Sequence, residues 1–383
     1  MAGFGFTEAQ EMFCREVRNF AQRELGPGAK ERAKMEAMPR EIVKELGDMG
    51  LLGISLPEKY GGQGADWISV AIAVEEVAKV DCSAGLFLVL PGVVHDALQH
   101  GAEGLMEEWL PGIMKGDKIG GFAVTEPDAG ADVAGIRTTA TKDGDYYILN
   151  GEKTCITFGS YADVVLAFAK TDPIAKPKAI SCFWLPLDLT GVTRTRIPHT
   201  GLKPWAASSI VMDEVRIPSK YLLGEEGKGF HIFGQAVNYQ RIGVSLVALG
   251  LAQSSLEETM DYTLQRVAFG QPIAKFEGVS FKIAEHATLL EAARLLCYHA
   301  LSLANQGFSI MKEAAMCKWW CPVVAFNAIH DCLLLHGHIG YSEDYPLEQR
   351  LRDVLGTQFA DSTAQIMKRI IARDLMGKEA ASF

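Results

Sequence analysis

Carboxylates are the groups of this chain best suited to proton transfer: a carboxylate held against an acidic C–H can serve as a base. Near the C-terminus, Phe359-Ala360-Asp361-Ser362-Thr363-Ala364-Gln365-Ile366 places Asp361 just before an apolar-periodic stretch. An Asp there can equally cap a helix that begins at Thr363, by accepting from its free amides. Asp96 follows His95 in Val93-Val94-His95-Asp96-Ala97-Leu98, where helical spacing reads as a solvated face. From Phe122 to Asp132 a strand ends in a Pro/Gly-rich turn, which is either a plain turn or a place where backbone amides approach a ligand. Arg266 has the forked donors that suit a pyrophosphate, although a lone arginine at a helix end is commonly a solvated charge. His336 and His338 raise a metal site, but neither Asp331 nor Cys332 completes a familiar ligand spacing, so no metal is expected. No GxSxG elbow, GxGxxG fingerprint or GxxxxGK[ST] loop is present.

These residues sit in a chain of three textures. From Thr7, Phe13, Val17, Phe20 and Ala21 recur at helical spacing, and Ile42 to Met49 repeats the pattern. Pro57 and three glycines break it between Leu56 and Gly64, and helices resume near Ile68. After Gly120 come β-rich runs at 138–141, 146–149, 164–168, 180–185 and 210–212, with turns at Asp143-Gly144-Asp145 and Asn150-Gly151. Beyond Gly229 the long segments 245–266 and 280–304 have apolar residues three and four apart, which predicts a helical bundle. The order is helical, β, helical, so a doubly wound α/β sheet is excluded and an α+β fold is expected. Its domains are expected at 1–118, 119–228 and 229–383.

The chain has 383 residues, 48% hydrophobic and 22% charged, enough to bury a large core. A net charge of −10 without a basic block argues against nucleic-acid binding. No run of 18 uncharged apolar residues exists, so no membrane span is expected. Met1 to Arg18 mixes acids and bases and resembles neither a signal nor a transit peptide, which leaves a cytoplasmic location as the expectation. Eight cysteines without CxxC spacing read mostly as buried thiols.

Six blocks, in register along almost the whole chain, resemble the acyl-CoA dehydrogenase family. They are Pro57-Glu58-Lys59-Tyr60-Gly61-Gly62-Gln63-Gly64, Thr125-Glu126-Pro127-Asp128-Ala129-Gly130-Ala131-Asp132, Asn150-Gly151-Glu152-Lys153, Arg266-Val267-Ala268-Phe269-Gly270-Gln271-Pro272, Gly337-His338-Ile339-Gly340-Tyr341 and Arg352-Asp353. The resemblance implies an N-terminal helical domain, a middle β-barrel domain and a C-terminal four-helix bundle. It also implies FAD, a CoA thioester substrate, an electron-transfer flavoprotein as acceptor and a homotetramer.

Residue by residue, the resemblance places Phe122, Val124, Thr125, Cys155, Ile156 and Thr157 along the flavin, with Thr157 as partner of N5. Arg266, Phe269, Phe276, Gly337, His338, Thr363 and Gln365 would complete the cofactor site. Arg266 and Phe269 would reach a flavin held mainly by a neighbouring subunit. Ala131, Tyr239, Arg241 and Ser362 would line the substrate. Ala131 stands where many relatives have serine, Cys155 where tryptophan is common, and Leu334 where glutamine is usual. Asp361 falls on the family's catalytic glutamate, so it would remove the α-proton while hydride leaves the β-carbon. Some branched-chain relatives carry the base just before a conserved arginine, but here that position is Gln240 before Arg241, and an amide is no base.

Asp is one methylene shorter than Glu, so its carboxylate stops roughly 1.5 Å short, an offset that can cost about 10²-fold in rate. The expected compensation is an acyl group bulky at its α-carbon, branched or cyclic, such as cyclohexanecarboxyl. Trp205, Ser362 and Ala360, each a departure from common family residues, fit a reshaped pocket. Alternatives on the same fold are an enoyl-CoA reductase, a nitroalkane oxidase, or a non-catalytic thioester- or nucleic-acid-binding relative.

Overall fold

The computed structural model describes residues 5–172, 179–377 and 379. Its first part is seven helices: α1 (Glu8–Phe20), α2 (Ala29–Arg32), α3 (Arg40–Asp48), α4 (Trp67–Ala78), α5 (Cys82–Gly85), α6 (Leu90–Leu98) and α7 (Leu105–Met114). Thr7 and Gln10 close α1 with a reciprocal capping box. The Pro57–Gly64 loop folds back because Gly61 has a φ of 94° and Gly62 lies so near Leu56 that a Cβ would meet its carbonyl oxygen at 2.2 Å.

The middle part is an eight-stranded mixed sheet: β1 (Gly120–Ala123), β2 (Thr139–Asp143), β3 (Tyr146–Ile156), β4 (Val164–Lys170), β5 (Ile180–Pro186), β6 (Val192–Arg196), β7 (Ser208–Pro218) and β8 (Leu222–Leu223). The pairing runs β6-β7-β3-β2-β4-β5-β8 with β1 against β4. Among the described residues the expected barrel is therefore, in its pairing, a sheet with two ends. Asp143-Gly144-Asp145 is a hairpin turn, with Gly144 at a φ of 58°. Asn150-Gly151, expected to be a turn, is instead inside β3. The register slips there, and Gly151 approaches Thr138 so closely that a Cβ would lie 2.6 Å from its Oγ1. The strand expected to end in the turn after Phe122 is β1, whereas β6 and β8 escaped the sequence reading: β6 carries exposed Thr and Arg, and β8 has two residues.

The last part is α8 (Gly229–Gln265), α9 (Glu277–Asn305), α10 (Met311–His336), α11 (Leu347–Thr357) and α12 (Ala364–Met376). Helix α10 is its centre, packed against α8, α9, α11 and α12. Helix α8 also packs on α4 and α6, so one apolar core runs from the first part into the bundle. Asp353 of α11 is buried and accepts from the Leu202 amide at 2.6 Å, which ties the bundle to the loop before Trp205.

Candidate active site

Between α11 and α12 the chain makes a turn in which Asp361 has a φ of 63°, a left-handed conformation that Asp tolerates better than most residues. Its carboxylate does not cap α12: Thr363 is the cap residue, and no side chain bonds the first amides. Instead, Oδ1 of Asp361 accepts from Gln240 Nε2 at 2.7 Å, while Oδ2 is buried without a hydrogen-bond partner. Gln240 Oε1 and Arg241 Nε are likewise buried and unpaired. Three buried polar atoms on Asp361 and the neighbouring pair Gln240-Arg241 are thus left unsatisfied, which costs folding energy and suits a polar ligand. Burial pushes the Asp361 carboxyl above its ordinary value, opposed by the charges of Lys318 and Arg241 and by the Gln240 hydrogen bond. Burial also lowers the Arg241 guanidinium, opposed by Asp361.

One helical step before this pair, Tyr239 stacks on Trp67 of α4, with ring centroids 3.9 Å apart and an interplanar angle of 11°. Burial, followed by the charge of Asp96, pushes the Tyr239 hydroxyl up. Asp96 is therefore half-buried and within electrostatic reach of α8 rather than on a solvated face, and it accepts from Gln99 at 3.4 Å. Ser362 lies in the Asp361 turn, whereas Ala131 is on an exposed loop of the middle domain.

The second group of residues gathers where β1 ends beside the end of β3. The Thr154 amide donates to the Thr125 carbonyl at 2.8 Å, joining the two segments. There the β3–β7 register slips between Lys153 and Ile156, and Cys155 (φ 56°) and Phe158 (φ 61°) are both left-handed. Two such non-glycine residues within four positions store strain of about 1–3 kcal/mol each, a pattern concentrated at ligand clamps. Val124, Thr125 and Thr157 are half-buried and Cys155 is exposed on this ledge. Phe122 is half-buried against Phe168 and Phe233. Ile156 differs: its side chain is packed in the core, so only its backbone can face a ligand.

Arg266, Phe269 and Phe276 form a third, separate group. Val267–Ala268 and Gln271–Pro272 pair as a short hairpin whose tip, Phe269-Gly270, has φ of 49° and 79°, the positive pair of a two-residue turn. The tip holds Phe269 96% exposed, in edge contact with Phe276 at 6.1 Å. A large apolar ring presented in this way suits a partner surface. Gly337 and His338 are exposed at the end of α10, and Thr363 and Gln365 are exposed at the start of α12. His336 is buried, stacked on Tyr262 at 4.1 Å and bonded through Nδ1 to the Cys332 carbonyl, whereas His338 is exposed.

Several residues had no role in the sequence reading. Lys153 is fully buried and pairs with Glu126 at 2.8 Å, also donating to the Val124 carbonyl, so it braces the Val124–Thr125 segment from behind. Both residues lie in the motif blocks, but their pairing bridges 27 positions. Lys318 of α10, 1% exposed, donates to three carbonyls around Asp361. Cys297 of α9 and Cys317 and Cys321 of α10 bring three buried sulfurs within 4.8 Å of one another. That set is one ligand short of a structural zinc site.

The comparisons with known proteins agree along the whole chain. Models of the N-terminal, middle and C-terminal domains of acyl-CoA dehydrogenase match residues 7–117, 121–215 and 227–376. An acyl-CoA dehydrogenase of Bacillus subtilis is 39% identical over 374 residues, covering 97% of this chain and 99% of that protein. The caffeyl-CoA reductase-Etf complex subunit CarC of Acetobacterium woodii is 35% identical over 97% of this chain and 100% of its own length. The crystal structure of a glutaryl-CoA dehydrogenase from Mycobacterium smegmatis in complex with FADH2 superimposes with a TM-score of 0.92 at 30% identity, covering 99% of this chain and 97% of that one. With the fold, the three domain models and these relatives in agreement, this chain belongs to the acyl-CoA dehydrogenase family.

Proposed function

We propose that the chain is an FAD-dependent oxidoreductase of CoA thioesters in which Asp361 removes the α-proton. The observation that carries this reading is the carboxylate of the half-buried Asp361: Oδ1 is held by Gln240, Oδ2 is buried and unpaired, and the Arg241 charge is within electrostatic reach. A carboxyl whose pKa burial has raised is the stronger base once ionised, and its unpaired oxygen is the one free to take a proton. Gln240 orients the carboxylate and supplies no second base.

The ledge at Thr125 and Cys155–Phe158 fits a flat cofactor ring, because its strained backbone turns peptide groups out of the sheet. The M. smegmatis relative, solved with FADH2, supports the choice of FAD. FAD bound there would accept the hydride from the substrate β-carbon. Val124, Thr125 and Thr157 would contact its ring, and the protruding hairpin of Arg266 and Phe269 would reach the FAD of a neighbouring protomer, which favours a homotetramer. The Etf complex of the A. woodii relative supports an electron-transfer flavoprotein as partner, and a cytoplasmic location is proposed with it. No helix among the described residues is long and apolar enough to cross a membrane.

The short Asp361 side chain favours an acyl group bulky at its α-carbon, branched or cyclic. A second reading, reduction of an enoyl-CoA by the same groups in reverse, is favoured by the reductase relative. Anaerobic mixing of the flavoprotein with panels of saturated and unsaturated thioesters tests both. Bleaching of the oxidised flavin by saturated thioesters supports dehydrogenation, and reoxidation of the reduced flavin by enoyl thioesters alone supports reduction. Asp361→Ala should abolish either while thioester binding persists; turnover like the wild type would remove Asp361 from the mechanism.

A further inference from the structure

The last turn of α11 leaves carbonyls without helical partners, as every helix end does. Here they are met from inside the protein. Lys318 Nζ donates to Thr357 O at 2.9 Å, to Gln358 O at 3.2 Å and to Ser362 O at 3.1 Å. An ammonium has three donors, and all three are used. Two of the acceptors precede Asp361 and one follows it, so a single nitrogen from α10 clasps the turn on both sides of the carboxylate. Left-handed backbone at a non-glycine residue persists only where its surroundings over-determine it, and this clasp does so at the Asp361 φ of 63°.

We propose that Lys318 is a positioning residue for Asp361: by gathering the carbonyls of Thr357, Gln358 and Ser362 it fixes the turn that holds the carboxylate against Gln240. The inference rests on the reading of Asp361 as the base. It accounts for a lysine at 1% exposure, where an apolar residue would pack at lower cost but would strand three carbonyls. Lys318 faces three ionisable groups: Asp361 in the turn, Arg241 on α8 and Cys321 on its own helix. Burial lowers the ammonium to about 8, opposed by Asp361. Above that pH the neutral amine has only two N–H donors for three carbonyls, and the clasp loosens.

The test is the rate of flavin reduction by a saturating thioester in anaerobic single turnovers, with Lys318→Met as the volume-matched variant without donors. A misplacement near 1 Å predicts a loss of about 10²-fold in that rate, with thioester affinity within about threefold of wild type. In the wild type the rate should fall as pH rises through 8, and the variant should lack this limb. Lys318→Arg, which keeps donors at every pH, should recover part of the rate and also lack the limb. A Lys318→Met enzyme that loses thermal stability but reduces its flavin at the wild-type rate would overturn the proposal. If that variant does not accumulate with flavin, the wild-type profile decides, and a rate flat through pH 8 overturns it. Asp361→Asn separates the two readings: reduction that survives it sinks the base assignment, whereas its loss alongside an unaffected Lys318→Met sinks only this one.

Discussion

Two lysines are buried among the described residues, and they are held in opposite ways. Lys153 in β3 sits against a carboxylate: Glu126 accepts from it at 2.8 Å and takes further bonds from the Thr138 amide and hydroxyl and from the Arg137 amide. Lys318 in α10 has only carbonyls as hydrogen-bond partners, and the carboxylate whose charge acts on it, Asp361, is bonded to Gln240. Burial lowers both ammonium groups to about 8. Their counter-charges diverge. Burial works to raise the Glu126 carboxyl, but Lys153 and the surrounding donors overcome it and hold the group below its ordinary value. Asp361 keeps a raised value despite Lys318 and Arg241. A carboxylate whose charge is fully neutralised is a brace; one left partly uncompensated is poised to take a proton.

The largest effect that would break this comparison is on stability in the middle domain. Lys153→Met leaves a buried carboxylate without its cation and should cost about 3–5 kcal/mol, read by denaturant titration. The surviving folded fraction should still reduce its flavin, because Lys153 is behind the ledge and not in contact with the Asp361 turn. Lys318→Met should show the reverse profile, a larger loss in rate than in stability. If both variants lose rate and stability in the same proportion, the distinction between brace and clasp fails. The double variant Glu126→Gln/Lys153→Met should recover part of the loss, since it removes the stranded charge.

A smaller effect is expected in the pH dependence of stability, where the two halves of the brace act in separate windows. The Glu126 carboxyl is lowered on folding, so its contribution is present above the ordinary glutamate value and lost as pH falls through the folded value. For Lys153, lowered from 10.5 to about 8, the unfolded chain binds more protons between those values, so this group alone makes stability rise with pH there. Denaturant midpoints should therefore drop in acid, and Glu126→Gln should flatten that acid limb. A limb of unchanged slope in the variant would assign it to other carboxylates.

What was legible in the sequence follows from the range of the interactions involved. Helical and strand periodicities are local, so the order of helical, β and helical parts could be read directly. Asp361 was legible because a contiguous motif surrounds it. Its partner Gln240 is 121 positions away, and although the sequence marked it as unable to be a base, nothing local indicated that it would donate to the base. Lys318 bonds to carbonyls 39, 40 and 44 positions ahead, and carbonyls leave no trace in residue type. The spacing of Cys317 and Cys321 puts them on one face of α10, but Cys297 joins them only because α9 packs alongside. Asn150-Gly151 misled for the opposite reason: a dipeptide that is locally a turn signal was recruited as a bulge, because β3 continues along β7 and Thr138 needs the space.

The smallest predicted effect tests the uncompensated side of the comparison most directly. The folded pKa of Asp361 is raised above its unfolded value, chiefly by burial. Its stability contribution is therefore complete below the unfolded value and lost as pH rises through the folded one, so at neutral pH the ionised base weakens the fold it serves. Asp361→Asn removes that charge, keeps an oxygen to accept from Gln240 and suits the left-handed backbone at least as well. It should raise the melting temperature of the flavoprotein by on the order of 1–3 °C at pH 8, and the gain should vanish in acid, where the wild-type carboxyl is already neutral. Scanning calorimetry of the two proteins across this range decides. A melting temperature lowered at pH 8 would mean that Lys318 and Arg241 stabilise the carboxylate as fully as Lys153 does Glu126, and Asp361 would then be a second brace.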